Sequence, residues 1–163
     1  MKKLRVYLET SFWNYLYADE YPEEKTATKK IFCYVKDRII EGFISRTVIA
    51  ELENAPEPKR TEMLKKITDA GVSILEIDEE VEFLVEQYLI EGVIPERKRT
   101  DAYHVSFATV YELDVLLTWN QRHLANLRKR ELIFAVNLKI GYSKPLEIIT
   151  PEEVIIDETE QIS

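Results

Sequence analysis

Apolar positions along the chain follow two alternating rhythms. Residues 4–9 (LRVYLE) form a short run with the aromatic and β-branched content of a strand. Thr10 and Ser11 then offer hydroxyl caps for a short helix through Tyr17. Residues 23–41 read as a helix, and 43–45 (FIS) as a second short strand. A helix over 47–55 is broken by Pro56 and Pro58, and another follows over 59–69. VSILEI at 72–77 predicts a third strand and 79–91 an acidic helix. Pro95 interrupts the chain before a helix over 101–112. VLLTWN at 115–120 is then a fourth strand that stops at Asn120. A long helix over 121–140 ends at Gly141, and LEII at 146–149 is the last strand candidate. Thr150-Pro151-Glu152-Glu153 is a helix start, with proline first and acids in the first turn. Strands alternating with helices predict βαβ units. The fold class is therefore α/β, with a central, mostly parallel sheet of four to five strands and helices on both faces. Residues 1–150 make the domain, and 151–163 an acidic C-terminal tail packed on it or extending from it.

Composition narrows the function classes. The 163 residues suit one domain with a substantial core. Cys33 is the single cysteine, so no internal disulfide forms, and a reducing cytoplasm is the expected compartment. No apolar run approaches the roughly 20 residues of a membrane helix, so no membrane partner is expected. Four glycines cannot build a GxGxxG turn or a GxxxxGK[ST] loop, which excludes the usual glycine-cradled nucleotide sites. With 22 Lys plus Arg against 30 Asp plus Glu, the net charge is −8, which at first disfavours nucleic acid. The acids are segregated, however. Residues 76–91 and 147–163 hold 13 of them and no Lys or Arg; the remainder sets 17 acids against all 22 basic residues, a net +5.

In an open parallel sheet, ligands gather at the carboxyl ends of the strands. Glu9 ends the first strand and Asn120 the fourth. Asp101 opens the helix leading into the fourth strand, and Glu51 lies in the helix after the second. Three carboxylates and an amide converging there make a hard, oxygen-rich site suited to Mg²⁺ or Mn²⁺ and to phosphate chemistry. Zinc does not suit a chain with one cysteine and two histidines 19 positions apart.

At these residues the chain resembles the PIN-domain family of metal-dependent ribonucleases, and within it the VapC-type toxins of toxin–antitoxin pairs. The resemblance rests on VYLETSFWNYL at 6–16, ISRTVIAELENA at 44–55, RTDAYHVSFATVYELDVLLTWNQRHLAN at 99–126 and EIITPEEV at 147–154. The third segment is the most specific. The resemblance implies a Rossmann-like sandwich in which Glu9, Glu51 and Asp101 direct carboxylates at a divalent metal, Mg²⁺ or Mn²⁺. Asn120 assists there as a metal or catalytic residue. It implies endonucleolytic cleavage of RNA, a homodimer, and a cognate antitoxin that covers the site. Two departures mark a variant: Glu9 stands where most members have Asp, and neutral Asn120 where many have a fourth acid. The alternative is a non-catalytic PIN-fold module that binds RNA or protein around a weakened metal site. A phosphoacceptor signalling domain is set aside, because Glu9 is followed by Thr10 rather than a second acid.

Other residues carry competing readings. Glu53 rivals Glu51, although the VIAEL pattern favours Glu51. Asp101 also complements a helix dipole behind a Thr100 cap, and Asn120 also suits a cap on the long helix. Thr10, Ser11 and Thr118 are candidates to orient the acids. His104 reads as structural, and His123 as a phosphate-contacting or supporting group. Arg97, Lys98 and Arg99, just before Asp101, are candidate substrate contacts. Arg128, Lys129 and Arg130 are weaker ones. Trp13 and Trp119 read first as core or dimer contacts and second as stacking partners for RNA bases. Cys33 reads as a small buried hydrophobe.

Overall fold

The computed structural model describes residues 2–154. Strands β1 (Arg5–Leu8), β2 (Glu41–Ser45), β3 (Ser73–Leu75), β4 (Val115–Leu117) and β5 (Glu147–Ile149) form one sheet in the order β3-β2-β1-β4-β5. All four pairings are parallel, for example Val6 beside Gly42 on one side and beside Val115 on the other. Central strands of a parallel sheet are covered on both faces, so they read as continuous apolar runs. Val6, Tyr7 and Leu8 in β1 and Leu116 and Leu117 in β4 are accordingly fully buried.

The helices are α1 (Thr10–Tyr15), α2 (Pro22–Lys36), α3 (Arg46–Glu53), α4 (Lys59–Ala70), α5 (Glu79–Ile90), α6 (Arg99–Val110) and α7 (Leu127–Ile140). Helix α2 packs with α1 and α4, while α5 packs with α6 and α7, giving a helical layer on each face. The chain steps outward from β1 to β2 and β3, then returns past β1 to β4 and β5. Right-handed crossovers running in opposite directions place their helices on opposite faces. The direction reverses between β1 and β4, and their carboxyl ends flank the crevice where such sheets take ligands.

Several boundaries differ from expectation for local reasons. The first helix is capped by Glu9 rather than by Thr10 or Ser11; its carboxylate accepts the Ser11 N–H. Helix α2 stops at Lys36, because Arg38 adopts a left-handed conformation (φ 64°) to turn the chain into β2. Helix α6 begins at Arg99 after a short 3₁₀ turn over Glu96–Lys98, so Thr100 is not its cap. The long helix starts at Leu127. Residues 120–126 instead form turns in which the Asn120 carbonyl accepts the N–H groups of Leu124 and Ala125. Asn126 then caps α7 by accepting the Lys129 N–H. Cys33 faces solvent, because α2 turns Ile31, Phe32 and Val35 inward and leaves position 33 outside. At the chain's end, Pro151–Val154 form a 3₁₀ turn packed on α2, and residues 155–163 of the expected acidic tail lie outside the described residues.

Candidate active site

The site is built at the crevice between the ends of β1 and β4. Residues i and i+2 of a strand share a face, so Tyr7 and Glu9 point the same way. The Glu9 N–H continues the sheet ladder by donating to the Leu117 carbonyl (3.2 Å). The buried Glu9 carboxylate is anchored through Oε2 alone. That oxygen accepts the Ser11 N–H (3.0 Å), the Ser11 hydroxyl (2.5 Å) and the Thr118 hydroxyl (2.9 Å).

Glu51 reaches the same place from α3. Its Oε1 accepts hydrogen bonds from the Thr10 hydroxyl (2.5 Å) and from His104 Nε2 (2.7 Å). Glu53, its rival in the sequence, is exposed. His104 is fully buried on α6, three residues after Asp101 and therefore on the same helix face. Its Nδ1 lies 2.7 Å from the Tyr7 hydroxyl, which is in turn 2.8 Å from Ser45 Oγ at the end of β2. His104 Nε2 is also 3.9 Å from Glu9 Oε1. One ligand atom from each of Glu9, Glu51 and His104 lies within 4.8 Å of the others.

The electrostatics follow from burial and crowding. Desolvation would depress the His104 pKa, but its bond to Glu51 and the charges of Glu9, Glu51 and Asp101 hold it above the ordinary value. For Glu51 burial pulls upward, and the bonds from His104 and Thr10 win, leaving its carboxyl below the usual range. Asp101 is raised, first by burial and then by Glu9 and Glu51, against the opposing pull of His104 and Lys98. Three acids therefore share one field at the crevice.

The donor set fits a hard divalent cation. Glu9 and Glu51 each use one oxygen for protein hydrogen bonds, and among the described residues the other carries none. That is the arrangement in which supporting groups orient a carboxylate while its second oxygen stays available. The two free carboxylate oxygens suit Mg²⁺ or Mn²⁺ and leave room for water ligands, while His104, bonded through both ring nitrogens to Glu51 and Tyr7, orients Glu51.

The remaining candidates are placed unequally. The Asn120 side-chain oxygen accepts the His123 N–H (3.0 Å), so it closes the turn after β4. Its backbone N–H donates to Thr118 Oγ1 (3.0 Å), one hydrogen bond from Glu9. Lys98 and His123 line a small cavity of about 20 Å³ with Asp101. Arg97 is exposed. Arg99 is taken up by Glu86 (2.6 Å) and Glu96 (2.8 Å), away from that cavity. Lys129 and Arg130 donate to the backbone carbonyls of Val93 and Ile148. Trp13 is a fully buried core residue. Sequence reasoning under-rated His104 and passed over Tyr7 and Ser45. The i, i+3 spacing from Asp101 and the i, i+2 spacing to Glu9 were the signals available for the first two.

No protein-family model and no curated protein matches the chain. Among solved structures it is similar to a chain of the VapBC2 complex from Rickettsia felis, a complex solved bound to a DNA fragment from its promoter. The TM-score is 0.51 at 18% identity, over 89% of this chain and 98% of that one. The likeness is one of fold, and the fold is the PIN-like α/β sandwich that the sequence motifs implied.

Proposed function

We propose that the chain is a divalent-metal-dependent endoribonuclease, the toxin of a toxin–antitoxin pair. The observation that carries the reading is the convergence of Glu9, Glu51 and His104 within 4.8 Å, with Asp101 in the same field, at the sheet's reversal point. The likeness in fold to a chain of a VapBC complex supports the toxin assignment and an antitoxin partner. Glu9, Glu51 and Asp101 would hold Mg²⁺ or Mn²⁺, with Asn120 assisting through the turn it closes. The bound cation would neutralise phosphoryl charge and lower the pKa of water.

The chain's own groups do the rest. Ser11 and Thr118 fix the rotamer of Glu9, and Thr10 and His104 fix that of Glu51. The carboxylates of the cluster help accept the proton of the attacking water. Lys98 supplies a positive charge beside Asp101 for the RNA backbone, with His123 and Lys129 lining the same cavity and Arg97 exposed one residue earlier. The expected assembly is a cytoplasmic homodimer. The testing experiment is cleavage of single-stranded and structured RNAs with Mg²⁺ or Mn²⁺, comparing the wild type with Asp101→Asn. Cleavage should require metal and be lost in the variant; equal cleavage by both would assign the activity to a contaminant.

A further inference from the structure

Beside the carboxylates, three aromatic rings are stacked in a row that the metal chemistry does not use. The Trp119 N–H donates to Ser11 Oγ (2.8 Å), and Ser11 in turn holds Glu9. The Trp119 ring stacks on Tyr15, with centroids 5.2 Å apart and planes at 21°. Its Nε1 donates to Thr28 on α2 (2.9 Å), which fixes the plane. Tyr15 lies one helical turn beyond Ser11 on the same face of α1, and it stacks in turn on Tyr21 (5.9 Å, 24°). Tyr21 is 49% exposed, and with Phe83 it is one of the two aromatic side chains among the described residues that lie open to solvent.

Packing alone accounts for Trp119 and Tyr15, which tie the end of β4 to α1 and α2. It does not account for Tyr21, which leaves half its surface in water at the end of a stack that begins at the site. We propose that this row is a stacking platform for an unpaired base of the RNA, next to the phosphate presented to the carboxylates. An aromatic ring presents its face to any base, so such a platform selects single strands over duplex. The acids Glu20 and Glu24 lie close enough to act on Tyr15, so this end repels phosphate and takes the base by its face. Backbone phosphates run instead toward Lys98. The inference rests on the ribonuclease reading for its substrate class, and its test is separable from that reading.

The test uses the intact wild-type chain in EDTA, where no metal-dependent cleavage occurs, and a six-nucleotide single-stranded RNA carrying one 2-aminopurine. Wild-type protein should quench the probe, and Tyr21→Phe should bind it equally well. Tyr21→Ala should bind it about tenfold or more weakly, while affinity for a duplex of the same sequence is unchanged. Circular dichroism and Tm should match the wild type, because Tyr21 lies outside the core. Equal single-strand affinity in Tyr21→Ala and wild type, or no binding by the wild type, overturns the platform even if metal-dependent cleavage is observed. Loss of affinity in Tyr21→Ala, with no cleavage under any metal, overturns the nuclease reading and leaves the platform standing.

Discussion

Ser11 makes three hydrogen bonds to two partners: its N–H and hydroxyl both donate to Glu9 Oε2, and its oxygen accepts the Trp119 N–H. Removing the hydroxyl takes one of the three anchors from Glu9 Oε2, leaving the Ser11 N–H and the Thr118 hydroxyl, so Ser11→Ala should weaken Mn²⁺ binding by calorimetry about tenfold. Near-wild-type Mn²⁺ affinity would mean that the Ser11 N–H and Thr118 suffice to hold Glu9. Tyr7→Phe probes the other side. It leaves His104 Nδ1 and Ser45 Oγ without their shared partner in a fully buried place. Urea unfolding should show a loss of about 1–3 kcal/mol, the range for orphaned buried polar groups. The acids were legible because a carboxylate at a strand end is conspicuous in sequence. The hydroxyls that orient them, Thr10, Ser11 and Thr118, were legible too, lying beside those acids or at the end of the fourth strand, whereas Ser45 and Tyr7 were not, being an ordinary cap and a core residue until the fold joins them across 38 positions. His104 was under-rated for the same reason: its partner Glu51 lies 53 residues away.

Among the elements, β2 meets α2 and β3 with little room to spare. A Cβ at Gly42 would lie 2.7 Å from Val35 Cγ1 and 3.0 Å from Val72 Cγ1, both β-branched and stiff. Gly42→Ala should therefore cost about 1–3 kcal/mol by overpacking, read from urea unfolding. Asp114 ties the amino ends of three strands. Its carboxylate accepts the Arg5 N–H (2.8 Å) and pairs with Lys144 (2.8 Å), and its carbonyl accepts the Glu147 N–H (3.1 Å). Partial burial opposes the shift, but Lys144 and the Arg5 N–H hold the carboxyl below the usual range. A depressed carboxylate contributes stability above its unfolded pKa and loses it as pH falls through the folded value. The Tm difference between wild type and Asp114→Asn should thus be present at pH 7 and shrink below about pH 4. A difference that stays constant down to pH 2 would remove the charge from the explanation. Helix and strand identities were legible from period and length. The turn at 120–126 was not, because Asn120 and Asn126 are equally good caps in sequence and only tertiary contacts choose between them.

At the scale of the molecule, part of the acidic charge is taken up in the fold's own surface ties. On α5, Glu80 accepts the Tyr142 hydroxyl, Glu82 the Tyr103 hydroxyl and Glu86 pairs with Arg99, and just past its end Glu91 pairs with Lys139. Glu79, Glu80 and Glu82 also sit in the first turn, where they complement the helix dipole. A net charge of −8 is therefore a poor guide to the field at the crevice. The basic side is modest too: Lys98 lies beside Asp101 and Arg97 is exposed nearby, while Arg99 is committed elsewhere. Two or three phosphates neutralised there give a slope of log K against log salt of about −1.4 to −2.1 for single-stranded RNA. Fluorescence anisotropy in EDTA between 50 and 200 mM salt, over which the Debye length falls about twofold, measures it directly. A slope steeper than about −4 would need more cations than the crevice offers. It would move the backbone path to the cavity of about 520 Å³ lined by Lys25, Lys29, Lys36 and Lys66. Lys29→Glu distinguishes the two: it should leave the slope unchanged if RNA follows the rim at Lys98, and flatten it if RNA follows the lysine-lined face.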